Sequence, residues 1–106
     1  LAIPAVTRNS VIIGSEDKNM YCYNISDGKL LWKYRTNGKI TGSAVVASGK
    51  VLFAGFDGNV YMLNLEDGKK LWSFNTGTPV SSSPAVIKGR FYILTEDGRL
   101  LCFGDK

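Results

Sequence analysis

A shift of 40 residues superimposes this chain on itself without a gap, and that self-similarity constrains its fold more than any other feature. Tyr21-Cys22-Tyr23-Asn24-Ile25-Ser26-Asp27-Gly28-Lys29-Leu30-Leu31-Trp32 returns as Tyr61-Met62-Leu63-Asn64-Leu65-Glu66-Asp67-Gly68-Lys69-Lys70-Leu71-Trp72, and restarts as Leu101-Cys102-Phe103. The register holds elsewhere. Pro4-Ala5-Val6 matches Ala44-Val45-Val46 and Pro84-Ala85-Val86, and Val11-Ile12-Ile13 matches Val51-Leu52-Phe53 and Phe91-Tyr92-Ile93. Asp17 matches Asp57 and Asp97, and Lys18 stands where Gly58 and Gly98 follow them. Thr36 matches Thr76, Ser43 matches Ser83, and Gly49 matches Gly89. A period of this length is the mark of solenoids, propellers or arrays. The repeat leaves no residues for a linker, tail or second domain within the sequence.

One unit reads as four short strands. In the second, Ser43–Ala47 is followed by a Ser48-Gly49 turn, Val51–Gly55, an Asp57-Gly58 turn, Val60–Leu65, and Lys70–Thr76 beyond Glu66-Asp67-Gly68. Asp-Gly between apolar runs predicts a two-residue hairpin with positive φ at both central residues. No apolar 3.6-residue period runs for ten residues or more, so essentially no helix is expected. Val51–Ala54 and Val60–Leu63 are apolar without alternation, as strands are when both faces of their sheet are covered. Four-stranded antiparallel sheets stacked on like sheets predict a β-propeller. A linear β-solenoid is the alternative, with rungs usually shorter than this repeat. The expectation is an all-β chain of about two and a half blades, with blade one at 1–36, blade two at 43–76 and blade three at 83–103, the last lacking its outer strand.

Composition excludes several function classes. An apolar fraction of 44% with 21% charged residues is that of a packed globular domain rather than a disordered one. No apolar run approaches the ~20 residues of a membrane-spanning helix, and Leu1–Val6 lacks the basic region of a signal peptide. The net charge of +4 comes from scattered Lys and Arg near turns, without the basic stripe and exposed stacking aromatics of a nucleic-acid binder. The chain has no His, which removes His-dependent triads and the commonest transition-metal ligand. Glu16, Asp17, Asp27, Asp57, Glu66, Asp67, Glu96 and Asp97 fall one or two per hairpin, as turn formers rather than in the spacing of a calcium loop. Ser10 and Ser81–Ser83 have no local base and no nucleophile elbow. The serine run fits the crowded region near a propeller axis. The residues themselves imply no catalytic, cofactor-binding or metal-binding set.

The recurrent residues read as structural. Trp32 and Trp72 hold the same place in two repeats, and a packing device recurs where a cofactor platform would be unique. Both are expected to be buried against the neighbouring blade. Gly28 and Gly68 open the tight turn before each Trp, and Asp57-Gly58 and Asp97-Gly98 form the inner hairpins. Cys22 and Cys102 lie two repeats apart, in blades too far separated for a disulfide, whose Cα atoms must sit within about 7 Å. Both are expected to be buried apolar residues. Strand alternation also predicts two unlike ends. One gathers Glu16, Asp17, Asp57, Glu96 and Asp97 against Lys18, Lys39 and Arg99; the other gathers Arg8, Lys29, Lys50, Lys69, Lys70, Lys88 and Arg90 against Asp27, Glu66 and Asp67.

Asn24–Trp32 and Asn64–Trp72, together with Pro79–Val86 and Gly89, resemble the tryptophan-docking motif of pyrroloquinoline-quinone-type (PQQ-like) propeller repeats, similar to those of the outer-membrane assembly lipoprotein. The motif departs from the family pattern at Cys22, Met62 and Cys102, at Asn24 and Asn64, and at Asp27 and Asp67. The resemblance implies a Trp wedged between blades and a ring of seven or eight blades, about 280 to 320 residues. The chain is then part of something longer, or is completed by association. A further blade or another copy would close the ring, and a protein partner would meet an end face, with no nucleic acid and no transmembrane segment. The leading function is a non-catalytic interaction scaffold. The alternatives are a fragment of a PQQ-dependent alcohol or sugar dehydrogenase with its active site in other blades, and a ligand-sensing propeller. The absence of adjacent cysteines weighs against the dehydrogenase. The resemblance implies an extracytoplasmic setting, against which the unpaired cysteines weigh.

Overall fold

The structure is a computed structural model that describes residues 3–104. Eleven strands form in chain order: β1 (Ala5–Val6), β2 (Ser10–Gly14), β3 (Asn19–Asn24), β4 (Leu30–Arg35), β5 (Val45–Ala47), β6 (Lys50–Ala54), β7 (Asn59–Asn64), β8 (Lys70–Asn75), β9 (Ala85–Ile87), β10 (Arg90–Leu94) and β11 (Leu100–Gly104). No helix occurs among the described residues. The strands make three antiparallel meanders, β1-β2-β3-β4, β5-β6-β7-β8 and β9-β10-β11. These are the blades of a β-propeller sector, two of four strands and one of three.

The absence of alternation in the middle strands has a direct cause. Along β6, Val51 and Phe53 face the first blade, where they join Ile12, Met20, Cys22, Trp32, Ile40, Tyr61 and Leu63. Leu52 and Ala54 face the third, joining Val60, Val80, Phe91 and Ile93. Each strand of the middle blade thus has two dry faces. Burying such side chains stabilises by about 1.5–3 kcal/mol each relative to exposure. The cores are therefore between blades and not within any one of them.

The Asp-Gly hairpins differ from the expectation. Positive φ is found at Gly58 (83°) and not at Asp57. Gly58 N–H donates to Gly55 C=O at 3.0 Å and Gly55 N–H to Asn59 C=O at 3.2 Å. This is a three-residue loop, a turn closed by one left-handed residue. Asp57 explains it, because its carboxylate accepts the Asn59 N–H at 3.0 Å and holds its own backbone out of the left-handed region. Paired positive φ occurs instead at Ser48-Gly49 (52° and 74°) and Lys88-Gly89 (50° and 80°), which join Ala47 to Lys50 and Ile87 to Arg90. In the first blade Lys18 takes the left-handed position itself, at φ 82°.

The blades are also tied by backbone. Ile3 N–H donates to Ser43 Oγ at 2.8 Å, and Ser43 N–H to Ser83 Oγ at 2.7 Å, one repeat apart each time. Ser83 and its neighbours are thus engaged in interblade bonding rather than merely small. On the opposite side of the connection, Phe56 N–H donates to Lys39 C=O at 3.0 Å and Glu96 N–H to Pro79 C=O at 3.0 Å.

Candidate functional site

The most specific side-chain geometry lies between blades one and two. A register shift between Cys22 and Tyr23 leaves Leu31 unopposed and sets Trp32 across from Cys22; the same shift recurs between Met62 and Leu63 and sets Trp72 across from Met62. Bulges of this kind re-aim a side chain. Trp32 is thereby turned onto the second blade, where its Nε1–H donates to Leu65 C=O at 2.8 Å. Its ring lies flat over Gly68, where a Cβ would come within 2.5 Å of the indole. Gly68 has φ +74°, so both its conformation and its missing side chain are required. Each Trp therefore docks on the turn of the following blade.

Trp72 differs in environment. It is half-buried, in contact with Phe91 and Phe103 of the third blade at ring separations of 5.9 and 5.4 Å. The turn that would cover it, one repeat beyond Leu65, begins at residue 105, outside the described residues. Gly28, the counterpart of Gly68, keeps φ +71° but is exposed, and a Cβ added there would meet nothing within 4 Å. Cys22 is buried, and burial pushes its thiol pKa up. Cys102 is exposed, which corrects the expectation. It sits on the outward side of β11, the side that no described blade covers.

The acidic hairpins form a second recurring arrangement. Asp17 accepts the Asn19 N–H at 2.9 Å and the Tyr21 hydroxyl; Asp57 accepts the Asn59 N–H and the Tyr61 hydroxyl. The Tyr21 bond holds the Asp17 carboxyl below its ordinary range. Tyr61 is raised above 10.0, by burial first and by its bond to Asp57 second. Asn37 N–H from the first blade also reaches Asp57, at 3.3 Å. In the third blade Arg99 replaces the Asn. It pairs with Asp97 at 3.1 Å and donates to Thr76 C=O at 2.7 Å. The Thr95 hydroxyl bond is the main cause that lowers Asp97. Gly98 closes that hairpin at φ 88°. These carboxylates serve their own turns, and no group of three metal-ligating residues converges among the described residues.

The two ends of the sector are distinct. Turns β1–β2, β3–β4, β5–β6, β7–β8 and β9–β10 share one end, as Ile25 N–H to Asn9 C=O and Leu65 N–H to Gly49 C=O (2.9 Å each) attest. This end carries Arg8, Lys29, Lys50, Lys69, Lys70, Lys88 and Arg90. The other carries Glu16, Asp17, Asp57, Glu96 and Asp97, with Lys39 stacked over Phe56 at 4.7 Å. At the basic end, a cleft of about 440 Å³ opens between blades two and three, with Val45, Leu52, Met62, Val86 and Phe91 as its apolar lining and Lys50 and Arg90 among its walls. Sequence reasoning placed both cations at this end but missed the cleft. Its signal was a broken repeat, because Ser10 becomes Lys50 and Arg90, and Asn24 and Asn64 become Gly104.

Three stacked meanders with Trp-on-Gly docking define the chain as a sector of a PQQ-like β-propeller. Residues 1–105 match a family model described as outer membrane protein assembly factor BamB, and the chain belongs to that family. Among solved structures, BamB from Moraxella catarrhalis superposes with a TM-score of 0.88 at 22% identity, over 98% of this chain and 33% of that one. The quinohemoprotein alcohol dehydrogenase ADHIIG from Pseudomonas putida HK5 superposes with a TM-score of 0.89 at 20% identity, over 97% of this chain and 18% of that one. At such identities the likeness is one of fold. A curated relative, the beta-alanine-activating enzyme of Danio rerio, is 44% identical over 39 residues, 37% of this chain and 3% of that protein. The chain spans a third or less of each of these proteins.

Proposed function

We propose that this chain is a non-catalytic sector of a PQQ-like propeller that acts as a protein-interaction scaffold. One observation carries the reading: the groups that could do chemistry are engaged in holding blades. The Trp32 indole, the natural platform for a quinone, has its N–H bonded to Leu65 C=O and its face against Gly68. The Asp17 and Asp57 carboxylates are bonded to their own hairpins. The described residues do not fit a quinone site, and no step is routed through one. What remains free is the surface of two oppositely charged ends, and such fields orient partners. The match to the BamB family supports the same reading.

The second reading, a dehydrogenase sector whose active site lies in other blades, is favoured by the TM-score of 0.89 to ADHIIG. Titrating the full-length protein with PQQ and calcium separates the two. The scaffold reading expects no stoichiometric change in quinone absorbance and no reduction of an acceptor dye with alcohols or sugars. Stoichiometric uptake with dye reduction would overturn it.

A further inference from the structure

We propose that the cleft between blades two and three at the basic end is a docking site for an acidic peptide segment that carries an apolar side chain. The proposal deepens the scaffold reading by giving that partner a chemistry. The cleft of about 440 Å³ presents Val45, Leu52, Met62, Val86 and Phe91 to an incoming side chain, with the cations of Lys50 and Arg90 among its walls and no carboxylate. That volume is in the range of ligand-binding clefts, ~300–1,000 Å³. The equivalent end of the first interface is opposite in character. Its cleft is lined by Thr7, Ser10, Leu31, Asn64, Leu65 and Glu66, among others, with a carboxylate and no cation. Packing devices recur from blade to blade, whereas this site breaks the repeat. Ser10, buried in blade one, is replaced by Lys50 and Arg90, and Gly104 stands where Asn24 and Asn64 stand.

The turn beside the cleft gives an independent sign. Lys88 adopts φ +50° in a two-residue hairpin where Asn, Asp or Gly would be unstrained. Left-handed conformation costs a non-Gly residue of order 1–2 kcal/mol, and strain of this kind concentrates at sites of function. Keeping Lys there places a third cation next to Arg90. Charge complementarity thus selects an acidic occupant, and the concave apolar lining selects a side chain rather than a flat array of lipid headgroups.

The test uses the full-length protein and a fluorescein-labelled peptide with one Leu flanked on both sides by Asp and Glu, followed by anisotropy at low salt. Saturable binding is expected, lost with the Leu replaced by Gly and weakened as salt rises. Lys50→Glu and Arg90→Glu should each weaken it about tenfold or more, since like charges then face each other. Lys29→Glu, at the same end but outside the cleft, should leave it within about twofold. Lys88→Asn guards against misfolding, because it relieves the turn while removing a cation, so affinity should fall with no loss of melting temperature. Absence of saturable binding, or equal weakening by Lys29→Glu and Arg90→Glu, would overturn the proposal. So would binding to phosphatidylserine vesicles that the peptide does not displace, which would make the end a lipid surface. Quinone uptake elsewhere in the protein would sink the scaffold reading but leave these binding outcomes unchanged.

Discussion

Adding a methyl group at Gly68 separates the docking contact from ordinary backbone strain. The Cβ of Gly68→Ala would come within 2.5 Å of Cδ2 of Trp32, and the residue would keep φ +74°. The left-handed backbone alone costs about 1–2 kcal/mol. Forcing the indole off the turn adds about 1–3 kcal/mol of overpacking and threatens the Nε1–H bond to Leu65 C=O. Trp32→Ala should by itself cost about 3–5 kcal/mol, as other buried aromatics do. Once the indole is gone, the new methyl meets no ring, and only the backbone term remains. The double variant is therefore expected to be less destabilised than the two single variants taken together, by about 1–3 kcal/mol. Urea unfolding followed by far-UV circular dichroism measures all four proteins without relying on Trp fluorescence. Strict additivity would refute the docking geometry, because it would mean that the ring and the glycine do not touch.

Three further outcomes follow from particular contacts. Gly38→Ala would drive a Cβ to 2.4 Å from the Asp57 amide nitrogen of the next blade, so a loss of at least ~1–3 kcal/mol in the same urea assay is expected. Lys18→Gly should raise stability by ~1 kcal/mol, since its φ of 82° matches the 83° and 88° of Gly58 and Gly98; an unchanged midpoint would contradict that. Burial and the bond to Asp57 raise Tyr61 above its ordinary 10.0, so its contribution to stability is whole below pH 10 and is lost as pH climbs through the folded value. Absorbance titration should show this phenol still protonated when exposed tyrosines have ionised, and Tyr61→Phe should remove that late step.

Much of the fold was legible because the repeat writes each strand twice. Val51–Ala54 without alternation implied covered faces, and β6 does feed two cores. Turn chemistry was less legible. Asp57-Gly58 carries the dipeptide of a two-residue hairpin, yet the Asp57 carboxylate binds the Asn59 N–H and a three-residue loop results. The environments of Trp72 and Cys102 depend on what covers the third blade, which their own repeat position does not state. Trp32 and Trp72 share a motif and differ in burial for that reason. The basic cleft was hidden because strand alternation assigns Lys50 and Arg90 to an end, while the gap between blades arises from side-chain volumes on three strands at once. Comparing Ser10, Lys50 and Arg90 as a broken repeat position would have pointed to it.

The central claim is that Trp32 of one blade is held by the turn of the next, and hydrogen exchange of its indole N–H tests this directly. The proton is bonded to Leu65 C=O at 2.8 Å beneath a ring that is only 8% exposed. Its exchange should require separation of the blades, so the two-dimensional NMR signal should persist after transfer to deuterium oxide and decay with the free energy of that opening. Leu65 sits in the turn that Gly68→Ala should displace, and that variant should speed the decay. An indole N–H that exchanges at the rate of free tryptophan in the folded protein would contradict the stacking of blades described here.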